Sequence, residues 1–189
     1  MASRTQIVCL HEGQRGRSID PIFINRLLKS LGPRWLKPWK GNNVIRPVDC
    51  GGRVSLIKAM PAQLNVCLEY GSDTTLMVWA DLDDDMADGN QLKDEFWKEA
   101  QAAGITADQF DQVVFAFAKD RLENWIEFLR NGATDESQEG PRVTHSSEAA
   151  NAARVLAERC QRQTKAPPLP PSLAWSCENW NKLVKRMQH

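Results

Sequence analysis

Tyrosine occurs once and histidine three times in these 189 residues, and His11, His145 and His189 lie far apart. A multi-histidine metal centre is therefore not expected. The five cysteines, Cys9, Cys50, Cys67, Cys160 and Cys177, are scattered, odd in number and never in a CxxC pair. They support neither a zinc site nor a disulfide framework and read as ordinary buried thiols. Any metal must then bind oxygen. No run of about 18 apolar residues occurs, so no membrane span is expected. The N-terminus is a short polar stretch leading into a strand-like segment, unlike a signal-peptide core. These absences lead us to expect a soluble, cytoplasmic protein without a membrane partner.

A net charge is also lacking, because 24 Lys and Arg balance 24 Asp and Glu. The balance is uneven along the chain. Residues 1–60 hold 11 basic against 3 acidic side chains (net +8), leaving 13 against 21 (net −8) in the remainder. Such a separation places a basic surface beside an acidic site and suits a polyanion held for metal chemistry, although simple solvated faces would look the same. The hydrophobic content of 42% supports one buried core rather than two. We expect an α/β domain over residues 1–131 and a helical C-terminal extension over 132–189 packed on it.

Gln6 to Leu10 is a short apolar run ending in His11-Glu12-Gly13, a strand that delivers an acid to a glycine turn. Asp20-Pro21 then opens a helix carrying Ile22, Phe23, Leu27 and Leu31 at helical spacing, with Gly32-Pro33 as its stop. A Trp- and Lys-rich stretch, Trp35 to Asn43, precedes a second strand at Val44 to Asp49. The Gly51-Gly52 turn leads to a helix from about Arg53 to Tyr70 that Pro61 should kink or split. Thr74 to Ala80 is a third, β-branched run ending in Asp81-Leu82-Asp83-Asp84-Asp85. A helix over Asn90 to Ala103, closed by Gly104, precedes a fourth strand at Gln112 to Ala118. Leu122 to Asn131 reads as helical, Gly132 to Thr144 as a polar loop, and Ser146 or Ser147 as the cap of a helix to about Gln163. Pro167 to Pro171 is a stiff connector, after which Ser172 caps a last amphipathic helix with Leu173, Trp180, Leu183, Val184 and Met187.

Alternation of strands and helices predicts a mostly parallel, Rossmann-like sheet flanked by helices. Ligands of such sheets bind at the carboxyl ends of the strands. Glu12, Asp81, Asp83 and the Lys119-Asp120-Arg121-Leu122-Glu123 segment all fall there. Four acids within Asp81–Asp85 repel one another unless they are solvated or neutralised by a hard cation. Alternating residues point the same way, so Asp81 and Asp83 would share one ion and Asp85 would join through water. Magnesium or manganese, with one or two carboxylates plus waters and phosphate oxygens, fits this inventory. An EF-hand does not fit: counted from Asp81, its central glycine falls on Met86 and its terminal acid on Leu92. An aspartyl-phosphate phosphatase would carry its DxD after the first strand, where this chain has Glu12. The acids would also serve as a solvated strand-to-helix turn.

A glutamate-glycine after the first strand, Glu12-Gly13, with a later apolar strand running into Asp81-Leu82-Asp83, resembles the TOPRIM domain of topoisomerases, primases and OLD-type nucleases over about residues 5–130. The chain is also similar to small TOPRIM-like proteins of bacterial anti-phage defence systems, where a later strand leads into an acid followed by a tryptophan. Glu123-Asn124-Trp125 matches that feature. The resemblance implies that Glu12 lies near metal and scissile phosphate and that Asp81 and Asp83 ligate magnesium. It also implies that Glu123 is a supplementary acid and that Lys119 stabilises charge developing on phosphate. Two departures stand out: Gln14-Arg15-Gly16-Arg17 is inserted after Glu12-Gly13, and the DxD lacks a close downstream glycine, Gly89 being distant.

The expected activity is Mg2+- or Mn2+-dependent cleavage of nucleic-acid phosphodiesters. From the resemblance, the role is an effector in anti-phage defence with an ATPase partner, since the chain has no Walker loop of its own. The alternative is a non-catalytic TOPRIM-like module that binds a partner and uses its acids structurally. DNA against RNA and homo-oligomerisation stay open. Arg15 and Arg17 read as phosphate contacts or as a solvated basic loop. The seven tryptophans, Trp35, Trp39, Trp79, Trp97, Trp125, Trp175 and Trp180, read mainly as core or interface anchors.

Overall fold

A computed structural model describes residues 6–13, 18–31, 45–71, 74–162 and 165–187. The expectations for Gln14 to Arg17, for the Gly32-Pro33 stop and for Trp35 to Val44 lie outside these residues, as do Gln163 and His189. Eleven elements follow one another among the described residues: β1 (Gln6–His11), α1 (Asp20–Leu31), β2 (Ile45–Asp49), α2 (Arg53–Glu69), β3 (Thr74–Leu82), α3 (Gly89–Ala102), α4 (Ala107–Phe110), β4 (Val114–Lys119), α5 (Leu122–Asn131), α6 (Ser146–Arg162) and α7 (Pro171–Met187). The fold is α/β, with a four-stranded, all-parallel sheet in the order β2-β1-β3-β4.

The strand sequences explain the layering. Their side chains alternate between faces with a period of two, and both faces are apolar because both are covered. Ile7, Cys9, Met77, Trp79, Val114, Ala116 and Ala118 face α1, α5 and α6, whereas Leu10, Leu76, Val78, Ala80, Phe115 and Phe117 face α2 and α3. Helices that follow β1 therefore cover one face and those that follow β2 and β3 the other. This reversal of winding opens a crevice between the ends of β1 and β3. Among the described residues no helix is long and apolar enough to cross a membrane.

The elements depart from the sequence reading at four places. Strand β3 runs two residues further than expected, through Asp81 to Leu82, so Asp81 is a strand residue rather than the first residue of a loop. Helix α2 is continuous through Pro61 instead of being split there. The proline ring is buried among Leu56, Met60, Leu64 and Cys67, and that apolar burial offsets the lost hydrogen bond. The short α4 was not anticipated; its Thr106 side chain and Gln109 form a reciprocal capping box that is easily overlooked in one turn of helix. Ser172 is not a cap either. It lies one residue inside α7, where its backbone N–H donates to the Glu136 carboxylate at 3.2 Å, so an acid from the loop between α5 and α6 caps the helix.

The last two helices share the main core. Trp79, Trp125, Trp180 and Phe23 form one aromatic cluster with ring centroids 6.0 to 6.5 Å apart, and Trp175 stacks on Phe117 at 5.1 Å. The Trp125 indole donates to Ser172 Oγ at 2.8 Å. Gly89 is required beneath this stack, because a Cβ there would lie 2.5 Å from the Trp175 ring.

Strand β4 is an edge of the sheet, and α7 closes it. The Ser176 hydroxyl accepts from the Phe117 N–H at 2.9 Å and donates to the Phe117 carbonyl at 3.2 Å, substituting for a neighbouring strand. Ser176 is fully buried. Ser176→Ala is therefore expected to cost about 1–3 kcal/mol, the penalty of leaving buried backbone groups unpaired. Urea denaturation checks this, and an unchanged midpoint would mean that water takes over both bonds.

Candidate functional site

Parallel strands deliver their following residues to one end of the sheet, and four acids collect there on the face of α1 and α5. Asp81 continues the alternation of Met77 and Trp79, so its side chain points towards that face. Asp20 stands in the first turn of α1 and Glu123 in the first turn of α5, where a helix favours negative charge. Glu12 follows β1 and accepts the Asp81 backbone N–H at 3.3 Å. These four side chains line one cleft of about 640 Å³, together with Ser18, Trp79, Arg121, Arg142 and Val143 among others. Gly13 keeps the cleft wall thin, since a Cβ there would lie 2.4 Å from Ser18 Oγ and 2.9 Å from His11 Nδ1.

The electrostatics record the crowding. Asp81 is held well above the ordinary carboxylate range, first by burial and then by the charges of Asp20, Glu12 and Glu123. Glu12 is raised by burial against the opposing effect of Arg53, and Glu123 by burial and the charges of Asp20 and Glu139. Glu12 has the Arg53 guanidinium, and the Ser18 hydroxyl donates to Asp20. The Asp81 carboxylate has no hydrogen bond or ion pair within the described residues.

Arg53, the first residue of α2, is the site residue that sequence reading passed over. Its Nε donates to Glu12 Oε1 at 3.3 Å, and its two terminal nitrogens donate to the Asp83 carboxylate and to the Asp81 carbonyl. The signal was available in retrospect: a lone basic residue directly after Gly51-Gly52 opens a helix at the same end of the sheet as the acids. Asp20 was also passed over as a site residue, because its place beside a proline accounted for it as a helix opener.

The structure separates residues that the sequence reading grouped. Asp81 faces the cleft, but Asp83 lies beyond the end of β3, is 61% exposed and pairs with Arg53. Of the Asp81-Leu82-Asp83 pair only Asp81, fixed by the strand, lines the cleft, while Asp83 is held by Arg53 from α2. Asp85 is exposed and has no partner among the described residues. Lys119 is turned away from the cleft. Its Nζ donates to the carbonyls of Asp83, Asp84 and Met86 at 2.7, 3.0 and 2.7 Å, which ties down the acid-rich turn.

In the Glu123-Asn124-Trp125 segment only Glu123 reaches the cleft. Asn124 is fully buried and its amide donates to the carbonyls of Lys119 at 3.1 Å and Gln138 at 3.0 Å. The turn before it is tight: Arg121 N–H reaches the Lys119 carbonyl at 2.7 Å across Asp120, whose φ is 61°. A non-glycine residue there is strained.

Comparison with known families, with curated proteins and with solved structures finds no match for this chain.

For a metal, the donor set is all oxygen and suits magnesium or manganese. Among the described residues no three Asp, Glu, His or Cys side chains are grouped closely enough to hold an ion on their own. Magnesium needs fewer, taking one or two carboxylates and completing its shell with water and phosphate oxygens. Asp81, with Glu12 beside it, meets that requirement.

Carboxylates raised in the folded state bind protons more tightly than in the unfolded chain. Their contribution to stability is then full in acid and is lost as pH rises from about 4 through the raised values. Asp81→Asn removes one charge from this cluster. It is expected to raise the melting temperature at about pH 7.5 and to flatten its decline from about pH 5 upward. Thermal melts across that range decide the matter, and a lower melting temperature at neutral pH would show that Asp81 is not repelled.

Proposed function

We propose that this protein is a Mg2+- or Mn2+-dependent phosphodiesterase of the TOPRIM type that cleaves nucleic acid at the cleft between the ends of β1 and β3. The observation that carries the reading is the Asp81 carboxylate: half-buried in the cleft, without a hydrogen bond or ion pair among the described residues, and surrounded by Glu12, Asp20 and Glu123 at the winding reversal of a parallel sheet. Keeping such a charge ionised without a counter-ion is costly. A divalent cation supplies that counter-ion, and when bound it also stabilises charge developing on phosphate oxygens.

The protein's own residues have distinct parts in this reading. Asp81 and Glu12 hold the ion. Glu12 is fixed by Arg53 and by the Asp81 N–H, so its free oxygen is oriented. Glu123, raised by burial, is placed to hold or pass a proton at the opposite wall. Arg53 fixes Glu12 against β3 and neutralises Asp83, and Lys119 keeps the acid-rich turn in place through its carbonyls. The defence role and the ATPase partner rest on the resemblance of the Glu12-Gly13, Asp81-Leu82-Asp83 and Glu123-Asn124-Trp125 segments.

One observation favours the second reading, a non-catalytic binding module. Arg53 already bridges Glu12 and Asp83 and so provides an internal cation where the resemblance implies that Asp83 ligates metal. Incubation of the purified protein with labelled DNA and RNA pools and manganese separates the two. Under the nuclease reading, wild type cleaves and both Asp81→Asn and Glu12→Gln lose on the order of 100-fold or more in rate. Absence of cleavage by folded wild type, with its partner present, would leave the binding module.

A further inference from the structure

We infer that the segment from Glu136 to Val143 carries the phosphate-gripping arm of this cleft, with Arg142 and Arg121 taking the backbone phosphates of a nucleic-acid strand next to the acids. The inference rests on the proposed nucleic-acid reading and deepens it. Arg121 and Arg142 line the same cleft as Glu12, Asp20, Asp81 and Glu123, yet neither guanidinium forms an ion pair with those acids among the described residues, although the charge of Arg121 favours ionised Glu123. Arg121, 48% exposed, pairs instead with Glu139. Arg142 is exposed and has no hydrogen bond or ion pair among the described residues. Two cations left at the rim of an acidic cleft suit a ligand that brings its own negative charge, as a strand of phosphates does.

The arm is built rather than loose. Gly140 packs so closely on the start of α5 that a Cβ would lie 2.7 Å from the Asn124 backbone nitrogen and 2.7 Å from Asn124 Oδ1. Asn124 also holds the Gln138 carbonyl, and Glu136 is fixed by Ser172 at the start of α7. Arg142 therefore follows a segment anchored at Glu136, Gln138 and Gly140, two residues beyond the last of them.

The test measures binding apart from cleavage. Fluorescein-labelled single-stranded DNA and RNA oligonucleotides are titrated by anisotropy with calcium replacing magnesium, at several salt concentrations. Wild type is expected to bind. Arg142→Glu should weaken binding about tenfold and lower the salt slope by about one, with Arg142→Lys retaining most of the affinity and thermal melts confirming the fold. Wild type that binds and cleaves while Arg142→Glu binds equally well, with an unchanged slope, overturns this inference and leaves the nuclease reading. Weakened binding by Arg142→Glu with no cleavage under manganese upholds the inference and removes the catalytic reading. Wild type that binds neither oligonucleotide overturns both.

Discussion

A single guanidinium holds the acidic end of this sheet together. Parallel strands carry their following residues to one edge of the sheet, so an acid after β1 and acids at the end of β3 meet whether or not they attract one another. Arg53 counters their repulsion from the opposite layer. Burial disfavours its charge, but the hydrogen bond it donates to Asp83 and the nearby charge of Glu12 outweigh that cost and keep it protonated. Its three bonds join α2 to the ends of β1 and β3. Glu12 orientation and Asp83 placement both follow from this one contact.

Much of the architecture was legible because local patterns and layer packing agree. The apolar runs at Gln6, Thr74 and Gln112 each became a strand, and the Asp20-Pro21 opening and the Gly104 stop fell where helix chemistry places them. What was illegible depends on three dimensions. Asp81 and Asp83 look equivalent in sequence, but Asp81 belongs to the strand and Asp83 does not, and a boundary shift of two residues decides which face each serves. Lys119 lies beside the acids in space, as expected, yet three backbone carbonyls claim its ammonium. Nothing in the local sequence distinguishes a lysine that binds phosphate from one that ties a turn.

Asn124 and Trp125, which look like part of a chemical motif, act as fasteners, and through Trp125 the last helix bears on the site. Asn124 joins the end of β4 to the following loop, and Trp125 joins α5 to α7 through Ser172. Glu123 is thereby placed at the cleft by bonds in which its own side chain takes no part. Of the three residues only Glu123 lines the cleft, whereas Asn124 and Trp125 are fully buried.

Closure of the β4 edge by Ser176 limits how copies of this protein can associate. A sheet with a bare margin invites another chain to extend it, which is a route both to dimers and to fibres. Here α7 occupies that margin on one side. The outermost strand on the other side, β2, carries Pro47, which has no N–H to offer an incoming strand. Any assembly is therefore expected to proceed through side chains on the helical layers, where fit is specific to the partner, rather than through the backbone, which accepts almost any extended chain.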